Sequence, residues 1–392
     1  MRRRRTTPTS LAVLATVTVV TAVTVVTAPA AAADPVALPA EHFRLAESPY
    51  NPTISQLDEL LPVESFSDVL ASANRAATDC PSGAEHQVAA FCWNSGDNDT
   101  EDWYPQGISS TADSYGEGTY EGETALFVSW YYRHSSPNKG ARISFVDYST
   151  PDEPAYRHVL LVEPYVNSSG QPDFRPVTVH AGGIFSYGHF LYVADTWGGF
   201  RAFDLRHIWR VTTGDKDLIG RQPDSSYHAY DYRYALPQAH TFTASTTDST
   251  ERLRFSAASL DRTSTPDSVI VPEYNASGTG TRVVRFPIDY TDRKFKESPD
   301  GYTHATEAYR VDIASMQGAT AIDDKFFVSA SAGSNARGSF YTFTATDDPT
   351  QHPGAQPIGP EDLSYWGPRD QLWGLAEYPG RRSVYAVDPS GF

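Results

Sequence analysis

Catalytic signatures are missing from this sequence. It carries no GxSxG elbow, no HExxH helix, no glycine-rich phosphate loop and no CxxC pair. The serine-hydrolase, zincin, nucleotide-binding and thioredoxin-like readings therefore lose their usual motifs. Cysteine is nearly absent, with only Cys80 and Cys92 among 392 residues. A lone pair in an exported chain reads as one disulfide, and without CxxC spacing or a histidine cluster it makes a poor metal site. Lysine is scarce and the formal charge is −17. Phosphate backbones and anionic lipid surfaces need clustered Lys and Arg, so nucleic acid and membrane are excluded as partners, and a strongly anionic polysaccharide is disfavoured. After residue 80 long amphipathic helical patterns are also missing.

What is present begins with a leader. "MRRRR" is a basic n-region, "LAVLATVTVVTAVTVV" an apolar h-region, and "APAAAA" offers small residues before Ala33–Asp34. Residues 1–33 read as a cleaved signal peptide and the protein as secreted. Loss of the four arginines at 2–5 takes the formal charge to about −21. Residues 34–84 form an N-terminal extension, partly helical, in which "TISQLDELL" and "SFSDVLASANRAA" carry helical spacing with Ser or Thr as N-caps.

From residue 100 the chain repeats one phrase: an apolar strand, a Gly- or Asp-containing turn, and a second strand. The five units are "ALFVSWYYRHSSPNKGARISFVDY", "FLYVADTWGGFRAFDL", "LRFSAASLDRTSTPDSVIVPEYNASGTGTRVVRFPI", "KFFVSASAGSNARGSFYTFTA" and "QLWGLAEYPGRRSVYAVD". Short strands at regular intervals with turn residues between them predict an all-β, five-bladed β-propeller over residues 85–392. The fifth unit lacks a strand, and "EHQVAAFCW" (85–93) is the candidate closing strand, braced by Cys80–Cys92 and leaving no open edge. The expected state is a monomer.

Ahead of each unit stands a polar residue beside a small or acidic one: "PQG" at Gln106, "VHA" at His180, "PQA" at Gln238, "MQG" at Gln317 and "PED" at Glu361. At the start of five innermost strands these side chains would ring the mouth of a central channel, and the small neighbours would let crowded backbones approach. Amide, imidazole and carboxylate groups on one axis can orient hydroxyls or move a proton; the competing reading is a water-filled channel. His240, two residues from Gln238, faces the same way by strand alternation, whereas Asp362 should turn away from Glu361. Loops on the same face hold Asp195 with Trp197, Asp261 with Arg262, and Glu377 with Tyr378. Asp195 with Glu361 is the carboxylate pair chosen for glycosidic acid–base work, against the competing reading of Asp195 as a turn cap. Trp103 and Trp366 are candidate platforms for sugar faces, or packing between blades. No cofactor is specified. A cation is suggested in two places: held through water by the ring at the mouth, and as Ca²⁺ in "SGDNDTEDW" (95–103), where a solvated acidic loop is the stronger reading.

"LYVADTWGGFRAFDL" resembles the strand–turn–strand phrase of NHL-type propellers, and the last two units are similar to secreted actinobacterial and fungal propeller proteins. That resemblance covers roughly residues 100–390, implies the fold, and names no reaction. The functional expectation is an extracellular carbohydrate-active enzyme, a glycoside hydrolase or else a lyase with His180 as base. Its catalytic residues would be Glu361, His180 and Asp195. Gln106, Gln238, His240, Gln317, Trp103 and Trp366 would bind a saccharide or another small polar ligand. The alternatives are a lectin-like glycan binder and a protein-interaction propeller.

Overall fold

The computed structural model describes residues 35–248 and 252–392. The leader lies outside the described residues. The described chain is an all-β propeller made of five antiparallel blades. The first blade comprises strands Trp103–Ser110, Ala125–Tyr132, Ala141–Asp147 and Ala155–Val166, innermost first. The second comprises Ile184–Tyr187, Phe190–Asp195, Gly199–Asp204 and the long Tyr234–Thr246. The third has Ser259–Asp261, Ser268–Pro272, Arg282–Asp289 and Glu307–Arg310. The fourth has Met316–Ile322, Lys325–Ala330, Ser339–Phe343 and Thr350–His352. Strands Pro360–Trp366, Gln371–Ala376 and Ser383–Val387 build the fifth. Its outermost partner is Gln87–Cys92, antiparallel to Ser383–Val387 with Val384 opposite Phe91. The innermost strands lie side by side in chain order, and that of the fifth blade returns to the first, closing the ring.

The sequence forms blades because both faces of each middle strand are apolar. In Phe190–Asp195, Phe190, Tyr192 and Ala194 enter one core cluster while Leu191 and Val193 enter the other. Leu126, Val128 and Trp130 divide from Ala125 and Phe127 in the same manner. A blade sandwiched between neighbours buries both faces, so its strands read as continuous apolar runs. Each buried Leu, Val or Phe side chain contributes roughly 1.5–3 kcal/mol.

The N-terminal extension is a strap around the outer rim. Its helices Thr53–Asp58 and Phe66–Ala71 are short, and Ser65 caps the second by accepting from the Asp68 amide at 3.0 Å. Between and around them, short strands add to successive blades. Val36–Ala37 pairs with the third blade, Phe43–Glu47 with the second, Arg75–Ala76 with the first, and Thr78–Asp79 with the closing strand. The strap thus satisfies outer-edge amides and carbonyls on four blades, which would otherwise invite pairing with other chains. Cys80 and Cys92 are disulfide-bonded where the strap turns into the closing strand.

The expected acidic loop is not a calcium loop. Residues Ser95–Asp99 form a short helix whose Asp97 is buried, bound by Arg142 (2.9 Å), Arg75 (3.0 Å) and His158 (3.0 Å). Asp97 is therefore neither solvated nor available to a cation. Among the described residues no group of three or more His, Cys, Asp or Glu is placed to hold a metal ion, and no helix is long and apolar enough to cross a membrane.

Because the disulfide closes a short loop at the point of ring closure, Cys80→Ser/Cys92→Ser should cost about 2–3 kcal/mol on the loop-entropy scale. Amide exchange should rise first in residues 87–92. Uniform exchange across all blades in the double variant would contradict this account of the closure.

Candidate functional site at the propeller mouth

The inner strands meet so closely that side chains are excluded at several points. A Cβ on Gly107 would lie 2.8 Å from the Ile184 amide, and one on Gly318 would lie 2.7 Å from the Asp362 Cα. A Cβ on Gly183 would overlap the backbone of Ala258. Hydrogen bonds staple the strands across blades. The Ser129 hydroxyl accepts from the Gly107 amide and donates to the Ala181 carbonyl, both at 2.8 Å. Asp362 Oδ2 accepts from the amides of Ile108 (3.2 Å) and Ile184 (3.3 Å), joining the fifth blade to the first and second.

Three of the recurrent polar steps are β-bulges. The ladder shifts register between Pro105 and Ile108, between Met316 and Gly318, and between Pro360 and Leu363. The extra residue re-aims a side chain at the rim, and there the bulges deliver Gln106, Gln317 and Glu361 to one cavity. His180 reaches it from the segment leading into the second blade. The cavity measures about 410 Å³ and also contains Tyr131, Arg254, Ser256 and Glu377 in its wall. Asp362, expected to turn away from Glu361, does not line the cavity; its Oδ2 is taken up by the Ile108 and Ile184 amides.

The structure brings together Gln106, His180, Gln317 and Glu361, and separates the other candidates from them. Gln238 lies on the outermost strand of the second blade, where its Oε1 accepts from Arg201 at 2.8 Å. The third blade's place at the mouth is taken by Ser256 instead. His240 is likewise on that outer strand, bound to the Ser48 carbonyl (2.9 Å) and Glu47 (3.1 Å). Asp195 pairs with Arg201 at 3.0 Å, so it is not the carboxylate partner of Glu361. Trp103 packs on Tyr132 beneath the Arg142 guanidinium, and Trp366 on Tyr148 and Trp373 beneath Arg369. Both are core, not platforms. Asp261 lies at the other end of its inner strand, in an ion pair with Arg285.

The neighbour of Glu361 is Glu377, the residue that directly follows strand Gln371–Ala376. The two carboxyl groups line the same cavity, and the charge of Glu377 raises the pKa of Glu361. Gln317 Nε2 donates to Glu361 Oε1 at 2.9 Å, and Gln106 Nε2 donates to Glu377 Oε2 at 3.1 Å. Glu361 is 3% exposed, and burial together with the charges of Glu377 and Asp362 holds its pKa well above the carboxylate range. Glu377, less enclosed, is raised chiefly by desolvation and held down by donors from Tyr378 and Gln106. Two neighbouring carboxyls disfavour joint ionisation, and Glu361, the more enclosed of the two, is the one held further toward its protonated form.

His180 shows the opposite shift. Desolvation by the cavity wall, then the charge of Arg254, lowers its pKa to about 4. The residue is nevertheless exposed on its outer side, so solvent weakens the desolvation, while the Arg254 charge still opposes protonation. Its ring lies 4.3 Å from that of Tyr131, whose hydroxyl is pushed up to about 12 by burial and by Glu377. Asp113 accepts from Ser109 (2.7 Å) and Ser364 (3.1 Å), and full burial raises it to about 6.

Sequence reasoning grouped Glu377 with its face but did not pair it with Glu361. It missed Tyr131, Arg254 and Ser256. A usable signal for the last two was "RFSAAS" (254–259), a run of small residues like the "HAGG" that precedes the second blade.

No family model and no curated protein sequence matches the chain, so the NHL likeness rests on the quoted phrases alone. Solved structures with some similarity include a Kuenenia stuttgartiensis hydrazine synthase (11% identity, 71% of this chain and 78% of that one, TM-score 0.33). A GH43_1 enzyme from Xanthomonas citri complexed with xylose gives 8% identity, 73% and 87% coverage and a TM-score of 0.31. RS223 β-xylosidase gives 9%, 72% and 91%, with a TM-score of 0.29. Scores this low decide nothing about the present chain, whose fold is defined by its own strand pairings.

Asp113 offers a test of the buried network. Its folded pKa lies above the unfolded value of 3.8, so the folded state binds the extra proton and stability falls as pH rises from about 4 to 6. Asp113→Asn should flatten the pH dependence of the unfolding midpoint over that window; an unchanged slope would place the proton elsewhere. His180, followed by NMR against His180→Gln, should remain neutral down to about pH 4, not titrate at its ordinary 6.5.

Proposed function

We propose that the protein is an exported glycan-active hydrolase with a single site at the propeller mouth. One observation carries the reading: Glu361, a carboxyl whose pKa burial raises, and His180, an imidazole whose pKa is lowered, share one cavity. The first is thus held toward its acid form and the second toward its base form. That is the arrangement general acid–base catalysis requires. Glu361 and Glu377 are immediate neighbours at the mouth, so they do not flank a glycosidic bond as paired carboxylates do. We therefore assign Glu361 as the acid that protonates the leaving oxygen and Glu377 as the group that holds its proton in place. His180 takes a proton from the water attacking the anomeric carbon. Gln106 and Gln317, already fixed by the two glutamates, orient substrate hydroxyls with their remaining polar atoms. A saccharide suits a cavity lined by amides, carboxyls and tyrosines with little apolar wall. Export is supported by the disulfide and by the leader-like residues 1–33.

A second reading, eliminative cleavage, is favoured by the contact between His180 and Tyr131. There the imidazole would abstract a carbon-bound proton. The test is a polysaccharide screen with the purified mature protein, read both by reducing ends and by absorbance of unsaturated products. Glu361→Gln keeps the shape and removes the transferable proton, so kcat should fall about 10²–10⁴-fold with little change in Tm. His180→Ala should lose a comparable factor. Glycan binding without turnover, unaffected by either substitution, would make this a lectin.

A further inference from the structure

Arg254 is the unexplained charge of the mouth. One guanidinium nitrogen, Nη1, donates to the Tyr274 carbonyl at 3.1 Å. Its Nε is buried with no acceptor. The neighbouring acid, Glu273, is occupied: Arg282 holds its carboxylate, and Arg254 meets it only through a backbone amide at 2.8 Å. Glu361 and Glu377 are committed to the two glutamines. A buried donor left unpaired costs about 1–3 kcal/mol, so the protein itself does not saturate this guanidinium. Position adds to this. Arg254 and Tyr274 line both the mouth and an adjoining cavity of about 500 Å³, so the guanidinium stands at the junction of two spaces. The second space is bordered by Trp197, 52% exposed, with the guanidinium groups of Arg252 and Arg254 at 4.9 and 5.9 Å from its ring.

Resting on the hydrolase reading above, we propose that the substrate is an acidic glycan, and that Arg254 receives the carboxylate of a hexuronate ring while Trp197 carries the next ring along the chain. Guanidinium matches a planar carboxylate through two parallel N–H groups, which a tetrahedral sulfate ester matches less selectively. A flat exposed indole offers the stacking face that a sugar's C–H surface needs. The other arginines beside the second cavity are engaged, Arg282 by Glu273 and Arg252 over Trp197, and the protein is strongly acidic, so the site fits uronates spaced among neutral sugars better than a dense polyanion.

The experiment uses the mature protein carrying Glu361→Gln, which holds substrate without turning it over. Binding is measured by calorimetry against uronate-containing oligosaccharides, the same oligosaccharides after carboxyl reduction, and sulfated neutral ones. Native uronates should bind at least about tenfold tighter than their reduced forms, the worth of one charge-assisted hydrogen bond. Adding Arg254→Gln should abolish that ratio, and Arg254→Lys should restore part of it, which a merely structural residue would not do. Trp197→Ala should weaken long oligosaccharides more than short ones. Equal affinity for native and reduced ligands, preference for sulfate esters, or a ratio untouched by Arg254→Gln would overturn the proposal. Failure of the parent reading looks different: uronates would be bound and discriminated through Arg254 yet left uncleaved by the wild-type protein. If only neutral glycans are cleaved, with Arg254→Gln indifferent, the hydrolase stands and the acidic substrate falls.

Discussion

Five strands have to meet around one axis, and at that radius there is room for backbone and little else. This crowding governs the molecule. It demands Gly107, Gly183 and Gly318 at points where a Cβ would strike the neighbouring strand. It forces amides to find partners across blades, which Asp362 and Ser129 supply. It is relieved by bulges at the upper ends of three inner strands. Each bulge turns a polar side chain out of the ladder and into the mouth. The same enclosure removes water from Glu361, Asp362 and Asp113, and burial disfavours the charged form of each. The protonation states at the site are thus a by-product of closing the ring, and no local catalytic motif is needed to set them.

Closure itself depends on strands from the two ends of the described chain. Gln87–Cys92 completes the blade that Ser383–Val387 would leave open, and the disulfide fixes the point where the strap enters it. The strap has little core of its own. Its contribution is to pair with outer strands that two-sided apolar packing cannot protect at their hydrogen-bonding edges. A propeller built from short blades benefits twice, since the same segment covers edges and ties non-adjacent parts of the chain together.

The blades were legible because their signal is redundant. Each strand–turn–strand phrase is apolar on both faces, and all five phrases fall on observed strand pairs. The mouth was legible in part. Gln106, Gln317 and Glu361 sit on bulges marked by Pro or Met followed by a polar and a small or acidic residue. His180 precedes a glycine pair that packs against the next inner strand. Gln238 carries the same "PQA" spelling for another reason: it lies on a long outer strand that pairs in parallel with the first blade, and alternation cannot distinguish an inner from an outer strand. Asp195 was misjudged because its sequence neighbours do not reveal Arg201, which binds both it and Gln238. Glu377 was harder still, since whether a residue just past a strand end leans into the mouth depends on hairpin geometry. Trp103 and Trp366 have the composition of sugar platforms but fill the wedges between blades. Asp97, read as part of a loop, is claimed by Arg142 and His158 of the first blade and by Arg75 of the strap.

The overall acidity and the cation at the mouth are not in conflict, because they act at different ranges. Net charge of this size repels polyanions at a distance, but at physiological ionic strength the field decays over about 8 Å. A guanidinium inside a cavity meets its ligand at contact distance, where screening is weak and hydrogen-bond geometry decides. Arg254 also opposes protonation of His180. A ligand carboxylate on Arg254 would neutralise that opposition, raise the affinity of His180 for a proton, and make the imidazole a stronger base once substrate is in place. One uncompensated charge would then serve both recognition and the timing of proton transfer.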